Sequence, residues 1–156
     1  MDISPTMTVE PARPQDMATL TTIVRTSDAY DGHYRPLAAA QTLDVAYLNT
    51  NVVRVIRGPG GDVHGFYSLL LPGMGAEGEG ELDFIFVANG LKRRGVGRAL
   101  FDDMRVVARE LELSLVHIVV HPPAEPFYLA CGARRIGEIP PTGRATWTRP
   151  YLTLVP

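Results

Sequence analysis

Apolar and polar residues follow one another along this chain with two periods, one typical of helices and one typical of strands. Near the amino end, a short strand is predicted over residues 8–10. A helix is predicted to begin at Pro14, because proline is tolerated in a first helical turn. Met17, Leu20 and Val24 then fall on one face of that helix, which is expected to pack against the core.

The rest of the chain predicts strands separated by glycine-rich turns, together with further helices. Leu100, Met104, Val107 and Leu111 mark one apolar face of a helix over 95–111. The other predicted elements are an irregular connection at 28–35, a helix at 36–48, hairpin strands at 51–56 and 63–71 around a turn at 58–62, a loop at 72–80, a strand at 81–87, a buried strand at 115–120, a short helix at 125–130 capped by Gly132, and strands at 134–139 and 151–155. This order predicts a mixed α/β fold.

The composition is that of an ordinary globular protein, expected to form one domain over residues 1–156. Hydrophobic residues make up 46% and charged residues 21% of the chain, which argues against disorder. The formal net charge of −2 argues against nucleic-acid binding. Residues 1–5 lack a basic-then-apolar leader and no apolar run has membrane-spanning length, so we expect a cytoplasmic protein without a membrane partner. Cys131 is the single cysteine, which excludes an internal disulfide.

The most informative segment places two glycines and four basic residues, all within 92–98, between a predicted strand and the start of a helix. A helix start attracts anions, because its first N–H groups lack partners and its dipole favours negative charge. Gly95 and Gly97 have no Cβ, so a phosphate could approach the backbone closely. The segment lacks the Gly-Lys-Ser/Thr of a Walker loop and the third glycine of a dinucleotide fingerprint. The segment therefore predicts a phosphorylated cofactor that is bound by neither of these two loops.

Two motifs in the chain resemble those of the GCN5-related N-acetyltransferase (GNAT) superfamily. The family signature [QR]-x-x-G-x-[GA] follows a strand that ends in valine, and this chain has KRRGVG at 92–97 after Val87. Lys92 departs from the pattern, although lysine can still contact phosphate as a point charge. Residues 124–133 are similar to the late family motif A-x-x-F-Y-x-x-x-G-[FA]. The predicted element order also matches the family over nearly the whole chain.

The resemblance implies a fold and a cofactor. The implied fold is a mixed, mostly antiparallel sheet of about seven strands, flanked by helices and split between the fourth and fifth strands. The implied cofactor is acetyl-CoA, which serves as the acyl donor. Its pantetheine would pair with the backbone of Ile85, Phe86 and Val87. Its pyrophosphate would lie against the turn and helix start formed by Lys92, Arg93, Arg94, Gly95, Val96, Gly97 and Arg98.

The resemblance also suggests which residues take part in catalysis. Tyr128 occupies the position of the family tyrosine that protonates the departing thiolate. Asp83 is the candidate general base, and Glu81 shares its face if the strand alternates strictly. A bulge, common in this strand of the family, would reset that alternation, and a base that acts through water, or the absence of any base, remains an alternative. Pro123 stands where the family often has an asparagine, which argues against a cofactor contact from that position.

Other chemistry-bearing residues have weaker support. The early connection lines the acceptor pocket in the family, so three of its aromatic side chains are candidates for substrate contact: Tyr30, His33 and Tyr34. His117 and His121 could serve as a base or contact the cofactor, but satisfied strand histidines are commoner. No histidine spacing suggests a metal site, and Cys131 is expected to be inert. The arginines at 134, 135 and 144 are expected to be solvated.

The resemblance favours an N-acetyltransferase that acts by direct attack of a primary amine of a small molecule. Two alternatives remain open, a protein or peptide acetyltransferase and a non-catalytic module that binds acyl-CoA. The acceptor pocket is expected to be built by residues 27–35 and 72–80, which carry no pattern that identifies the acceptor. The final strand could contribute to a homodimer contact.

Overall fold

A seven-stranded sheet forms the centre of the computed structural model, which describes residues 7–156. The expectation about a leader in residues 1–5 therefore lies outside the described part of the chain. The strands are β1 (Thr8–Pro11), β2 (Val52–Arg57), β3 (Val63–Leu70), β4 (Gly80–Val87), β5 (Val116–Val119), β6 (Arg134–Ile139) and β7 (Arg149–Leu154). The helices are α1 (Met17–Arg25), α2 (Arg35–Ala39), α3 (Val45–Thr50), α4 (Val96–Glu110) and α5 (Glu125–Ala130). No helix within 7–156 is long and apolar enough to cross a membrane.

The sheet opens between β4 and β5. The strand order is β1-β2-β3-β4-β5-β7-β6, and every neighbouring pair is antiparallel except β4 and β5, which run parallel. These two strands pair at only two positions, Gly80 with Val116 and Glu81 with His117. Beyond Glu81 the strands diverge, so one edge of β4 is left open. This confirms the mixed, split sheet that the resemblance implies.

Helices cover both faces of the sheet and bury its apolar side chains. On one face, α4 inserts Leu100, Phe101 and Met104, each fully buried, against β3 and β4. On the other face, α1 buries Met17, Leu20 and Val24, as its spacing predicts. The predicted apolar face of α4 is correct except at its end. Leu111 follows the last turn of the helix as its C-cap and is 44% exposed.

The prediction of one helix over 36–48 is wrong. The chain forms two short helices there, α2 and α3, separated by residues 40–44. Leu43 leaves the helical path to bury its side chain, and its backbone N–H and C=O both bond the Thr21 hydroxyl, at 2.9 and 3.0 Å. Asp44 then starts a new helix, because its carboxylate accepts a hydrogen bond from the Tyr47 N–H at 2.8 Å. Local side-chain bonds to the backbone here replace helical ones.

The predicted irregular connection at 28–35 consists of two short 3₁₀ turns, Asp28–Tyr30 and Gly32–Tyr34. Two bonds from Asn89, in the turn after β4, attach the start of this connection to the sheet. Its amide donates to the Thr26 carbonyl at 2.7 Å, and its carbonyl accepts from the Asp28 N–H at 3.0 Å. The connection is thereby held over the open end of β4, where two cavities lie.

Candidate active site

A β-bulge in β4 shapes the centre of the site. Ser68 of β3 lies opposite Phe84 and Leu69 lies opposite Leu82, so Asp83 is the extra residue of β4. The Ser68 hydroxyl accepts a hydrogen bond from the Phe84 N–H at 3.1 Å, which stabilises the irregular register. The bulge interrupts the strict alternation that places Glu81 and Asp83 on one face, yet both residues line the same cavity.

The turn after β4 points the start of α4 toward the sheet opening. Three of its residues have positive φ: Gly90 at 84°, Arg93 at 63° and Gly95 at 79°. The first helical bond of α4 runs from the Ala99 N–H to the Gly95 carbonyl at 3.0 Å. The N–H groups of Val96, Gly97 and Arg98 therefore have no partner within the helix. These N–H groups could donate hydrogen bonds to an anion, which is the kind of site that the glycine pattern predicts.

A cavity of about 600 Å³ lies between this turn, the end of β4 and α5; we call it the donor cavity. Gly97 forms part of its wall, where a Cβ would lie 3.3 Å from the Phe127 ring and 3.6 Å from a Val87 methyl group. Any larger side chain at this position would have to displace the ring or extend into the cavity. The absence of a side chain here keeps the path along the helix start open.

The predicted cofactor residues take different positions around the donor cavity. Its lining includes most of them: Ile85, Phe86, Val87, Lys92, Arg93, Gly95, Gly97 and Arg98. Arg94 is exposed and is not part of this lining, and Val96 is buried in the core. The Lys92 ammonium forms an ion pair with Asp28, and Arg98 lies 3.3 Å from the Asp102 carboxylate. The backbone of the turn is thus more available for an anion than the Lys92 side chain.

Tyr128 lies in the wall of the donor cavity, on α5. Its ring packs edge-on against Phe127 and Phe101, at centroid distances of 5.2 and 6.3 Å. Burial raises the pKa of the Tyr128 hydroxyl well above its ordinary value, and nearby Tyr30 adds to the effect. The hydroxyl therefore keeps its proton at neutral pH and is available as a donor. Cys131 is also buried, and burial raises the pKa of its thiol.

A second cavity, of about 330 Å³, lies on the other side of the sheet opening; we call it the acceptor cavity. Two carboxylates line it, Glu81 and Asp83, and burial raises the pKa of each. The Tyr47 hydroxyl donates a hydrogen bond to Asp83 Oδ2 at 2.6 Å, which opposes part of that rise. Trp147, in the segment that leads into β7, and Arg149, the first residue of β7, complete the wall.

Three aromatic residues line both cavities and form the boundary between them: Tyr30, Phe86 and His121. Tyr30 stacks on His121 at 3.9 Å and on Phe86 at 5.5 Å between ring centroids. Burial raises the pKa of Tyr30 to about 12, although the positive charge of Arg149 acts in the opposite direction. The boundary is therefore a stack of three rings, in which the Tyr30 hydroxyl stays protonated at neutral pH.

His121 has a defined tautomer at this boundary. Its Nε2 lies 2.7 Å from the Ala29 carbonyl, which can only accept, so Nε2 carries the proton. Its Nδ1 is buried without a hydrogen-bond partner among residues 7–156. Burial lowers the pKa of the ring, so it is neutral at neutral pH. The sequence pointed to His121 only as one of several histidines, because its place at the cavity boundary depends on the split of the sheet.

The other candidates that the sequence suggests are dispersed. His117 uses both ring nitrogens, with Nε2 2.7 Å from Glu79 and Nδ1 2.5 Å from the Tyr151 hydroxyl. His33 and Tyr34 are not among the residues that line either cavity, but both pack edge-on or tilted against neighbouring aromatic rings. The acceptor cavity receives Tyr30 from the predicted segment 27–35 and nothing from 72–80. Trp147 and Arg149 were not predicted, since no motif marks them.

Comparison with known proteins identifies the family. Residues 23–133 match the family model described as the acetyltransferase (GNAT) family. The chain belongs to the GNAT acetyltransferase family. No curated protein sequence matches it significantly.

Solved structures share the fold at low sequence identity. The ribosomal-protein-S18-alanine N-acetyltransferase from Escherichia coli is 16% identical over 96% of this chain and 94% of that chain, with a TM-score of 0.70. A spermidine N-acetyltransferase chimera from Vibrio cholerae and hSSAT is 15% identical over 96% and 95%, with a TM-score of 0.73. The protein yncA from Salmonella typhimurium, solved with its cofactor acetyl-CoA, is 18% identical over 96% and 94%, with a TM-score of 0.74.

Acetyl-CoA is the acyl donor of this family, and the donor cavity fits it. The open edge of β4 provides backbone groups for an extended amide chain, and the start of α4 provides unpartnered N–H groups for phosphate. The Gly97 position leaves room that a side chain would fill. These three features lie in the wall of one continuous cavity.

Proposed function

We propose that this GNAT acetyltransferase transfers the acetyl group of acetyl-CoA to the primary amine of a small molecule by direct attack. One observation carries the proposal. The donor and acceptor cavities meet at Tyr30, Phe86 and His121, so a thioester and an amine could approach each other there from opposite sides. A one-step reaction needs this kind of juxtaposition, because both reactants must be bound together in attacking geometry.

The donor would be held mainly by backbone. The open edge of β4 at Ile85 to Val87 would pair with the pantetheine amides, and the N–H groups from Arg93 to Arg98 would surround the pyrophosphate. Lys92 would contribute charge after giving up part of its ion pair with Asp28. The bound thioester supplies an acetyl group that is activated toward amines.

The acceptor amine must lose a proton as its nitrogen bonds the acetyl carbon. Asp83 is our candidate base: it lines the acceptor cavity, and desolvation there raises the pKa of its carboxyl above its ordinary value, although the residue keeps an exposed surface. Tyr128 is our candidate acid: its hydroxyl would give a proton to sulfur as the carbon–sulfur bond breaks. The two protons then exchange with solvent, which restores both groups.

The size of the acceptor cavity favours a small molecule over a protein segment. At about 330 Å³ it is near the lower end of the volumes typical of small-molecule sites. Its walls come from both sides of the sheet opening, with Gln41 and Thr42 on one side and Trp147 and Arg149 on the other. A peptide would need an open groove across the ends of the strands.

The test measures cofactor binding and turnover separately. Titration calorimetry with acetyl-CoA checks the donor cavity, and release of free thiol with a panel of amino acids, polyamines, aminoglycosides and peptides checks the reaction. We expect binding together with turnover of at least one class of small amine. Binding without turnover across the panel would favour a non-catalytic acyl-CoA module, and turnover confined to peptides would favour a protein acetyltransferase.

A further inference from the structure

Arg149 is a half-buried arginine in the wall of the acceptor cavity, and no carboxylate of residues 7–156 forms an ion pair with it. Two other half-buried arginines show the usual arrangement. Arg54 binds Asp103 through two nitrogens, at 2.7 and 3.2 Å, and Arg57 binds both Glu10 and Asp16. A charge removed from water is normally paired, because desolvation is costly. Arg149 therefore has an unfilled capacity to bind an anion.

Trp147 lines the same wall and has a second unsatisfied donor. Its indole Nε1 is buried, and so is the Nε of Arg149; neither has a hydrogen-bond partner among the described residues. Edge-on packing against Tyr34, at 4.7 Å, and His33, at 5.6 Å, holds the indole in place. Indole and guanidinium groups can only donate hydrogen bonds. Their complement in a ligand is an acceptor, and a carboxylate matches the forked geometry of a guanidinium best.

The acidic side chains of the acceptor cavity, opposite in charge to Arg149, lie on β4. Glu81 and Asp83 line the cavity together with Arg149, so the wall has acidic groups on one element and a cationic group on another. The positive charge of Arg149 acts to lower the pKa of Glu81, but the two side chains do not form an ion pair, and the Glu81 carboxylate accepts a hydrogen bond from the Met74 N–H at 2.9 Å. A ligand with an ammonium group and a carboxylate can satisfy both elements at once. A polyamine or an aminoglycoside would bring further positive charge against Arg149.

We propose that the acceptor is a small amine that also bears a carboxylate, as amino acids do, with Arg149 and Trp147 binding the carboxylate while the amine lies toward Asp83. This inference rests on the proposed function and names its substrate class. The carboxylate could belong to a free amino acid or to the end of a short peptide, which present the same chemistry. Apolar side chains such as Leu37, Phe84 and Val119 complete the lining and would accommodate an aliphatic side chain.

The experiment uses three amines with the same side chain, of which only the first has a carboxylate: leucine, leucinamide and 3-methylbutylamine; each is compared at equal concentration of the neutral amine. The value of kcat/KM for thiol release is measured for each, and leucylglycine is added to distinguish a free amino acid from a short peptide. The proteins are the wild type, Arg149→Met, Arg149→Lys and Arg144→Met. The last is a matched control, because Arg144 is an exposed arginine in the connection before β7 and is not among the residues that line the cavity.

We expect the wild type and Arg144→Met to prefer leucine over 3-methylbutylamine, and Arg149→Met to lose about 10- to 100-fold in kcat/KM for leucine but not for leucinamide or 3-methylbutylamine. Arg149→Lys should retain part of the preference, since it keeps the charge but loses the planar fork. Equal losses with all three amines would assign Arg149 a structural role and overturn the proposal. A wild type that prefers the analogues without a carboxylate would also overturn it.

Two further measurements keep the outcomes separate. Calorimetry with acetyl-CoA and the melting temperature show whether Arg149→Met is folded; if it is not, the comparison rests on Arg149→Lys. If acetyl-CoA binds but no amine reacts, the proposed function fails, and leucine is then titrated into the complex with CoA. If leucine binds the wild type and binds Arg149→Lys more weakly, the result would still support a carboxylate site. If leucine does not bind the wild type, the proposal is overturned.

Discussion

The donor and acceptor cavities are built in different ways. The donor cavity is formed by three stretches of the chain, residues 27–30, 85–98 and 121–128, and its candidate contacts with phosphate and pantetheine are mostly backbone groups of β4, the turn after it and α4. The acceptor cavity takes single side chains from many elements, among them Tyr47, Asp83 and Arg149. A binding surface made of backbone tolerates many side-chain changes, but it requires glycine where the ligand approaches. A surface made of side chains can change its ligand by single substitutions.

The largest effect should come from filling the Gly97 position. We expect Gly97→Val to weaken acetyl-CoA binding by about 100-fold or more, or ~2.7 kcal/mol, because its methyl groups would enter the donor cavity beside Phe127. Gly97→Ala should have a smaller effect, since its Cβ would come no closer than 3.3 Å to the ring. Calorimetry measures both affinities.

The matched control for this experiment is Gly60→Val. Gly60 has no atom within 4 Å of a Cβ built on it and lies in an exposed turn between β2 and β3. This variant should bind acetyl-CoA as the wild type does. If Gly97→Val keeps full affinity and the same melting temperature, the contrast between a backbone-built and a side-chain-built cavity is wrong.

Removing the Tyr128 hydroxyl tests a side chain placed in the donor cavity. Tyr128→Phe should lower turnover by about 10- to 100-fold or more, which is near the low end of general-acid effects. Its acetyl-CoA affinity should stay within a few-fold of the wild-type value. The ring packs against Phe101 and Phe127, so the variant should keep its fold. Phe127→Leu is a useful comparison, because it disturbs the same wall without removing a proton donor. Full activity in Tyr128→Phe would exclude the hydroxyl from the mechanism.

The contrast between the cavities also explains how much could be predicted from sequence. The strand, turn and helix from 81 to 111 were predicted nearly correctly, because glycine positions and apolar spacing are local signals. The split of the sheet came from the resemblance to the GNAT family and is confirmed. Trp147 and Arg149 could not be predicted, since they reach the cavity only after β7 inserts between β5 and β6. The break at 40–44 was missed because it depends on Thr21, a residue of another helix.

The pH dependence of turnover tests Asp83 in the acceptor cavity. A base must be deprotonated, and burial raises the pKa of Asp83, so activity should fall as the pH drops through that raised value. Asp83→Asn should lower turnover by about tenfold or more near neutral pH and remove the contribution of Asp83 to the acid limb. The loss of activity at low pH that is caused by protonation of the acceptor amine should remain in this variant. An unchanged profile of kcat against pH would exclude Asp83 as the base.

Glu81→Gln is the matched control for Asp83→Asn. Both carboxylates line the acceptor cavity, and burial raises the pKa of both, but Glu81 lies before the bulge and bonds the Met74 N–H. If Glu81→Gln changes the acid limb and Asp83→Asn does not, the roles of the two carboxylates are reversed. In that case the bulge in β4 positions Glu81 rather than Asp83 for proton transfer.

The smallest effect should come from Tyr47, which acts on the reaction through Asp83. Its hydroxyl donates to the carboxylate at 2.6 Å and favours the charged form, so Tyr47→Phe should raise the pKa of Asp83 further. The acid limb of kcat should then move to higher pH, while turnover on the alkaline side changes by less than about threefold. Acetyl-CoA affinity should not change, because Tyr47 lines only the acceptor cavity. A uniform loss at every pH would instead mean that Tyr47 supports the wall through Ser68, its other hydrogen-bond partner at 2.8 Å.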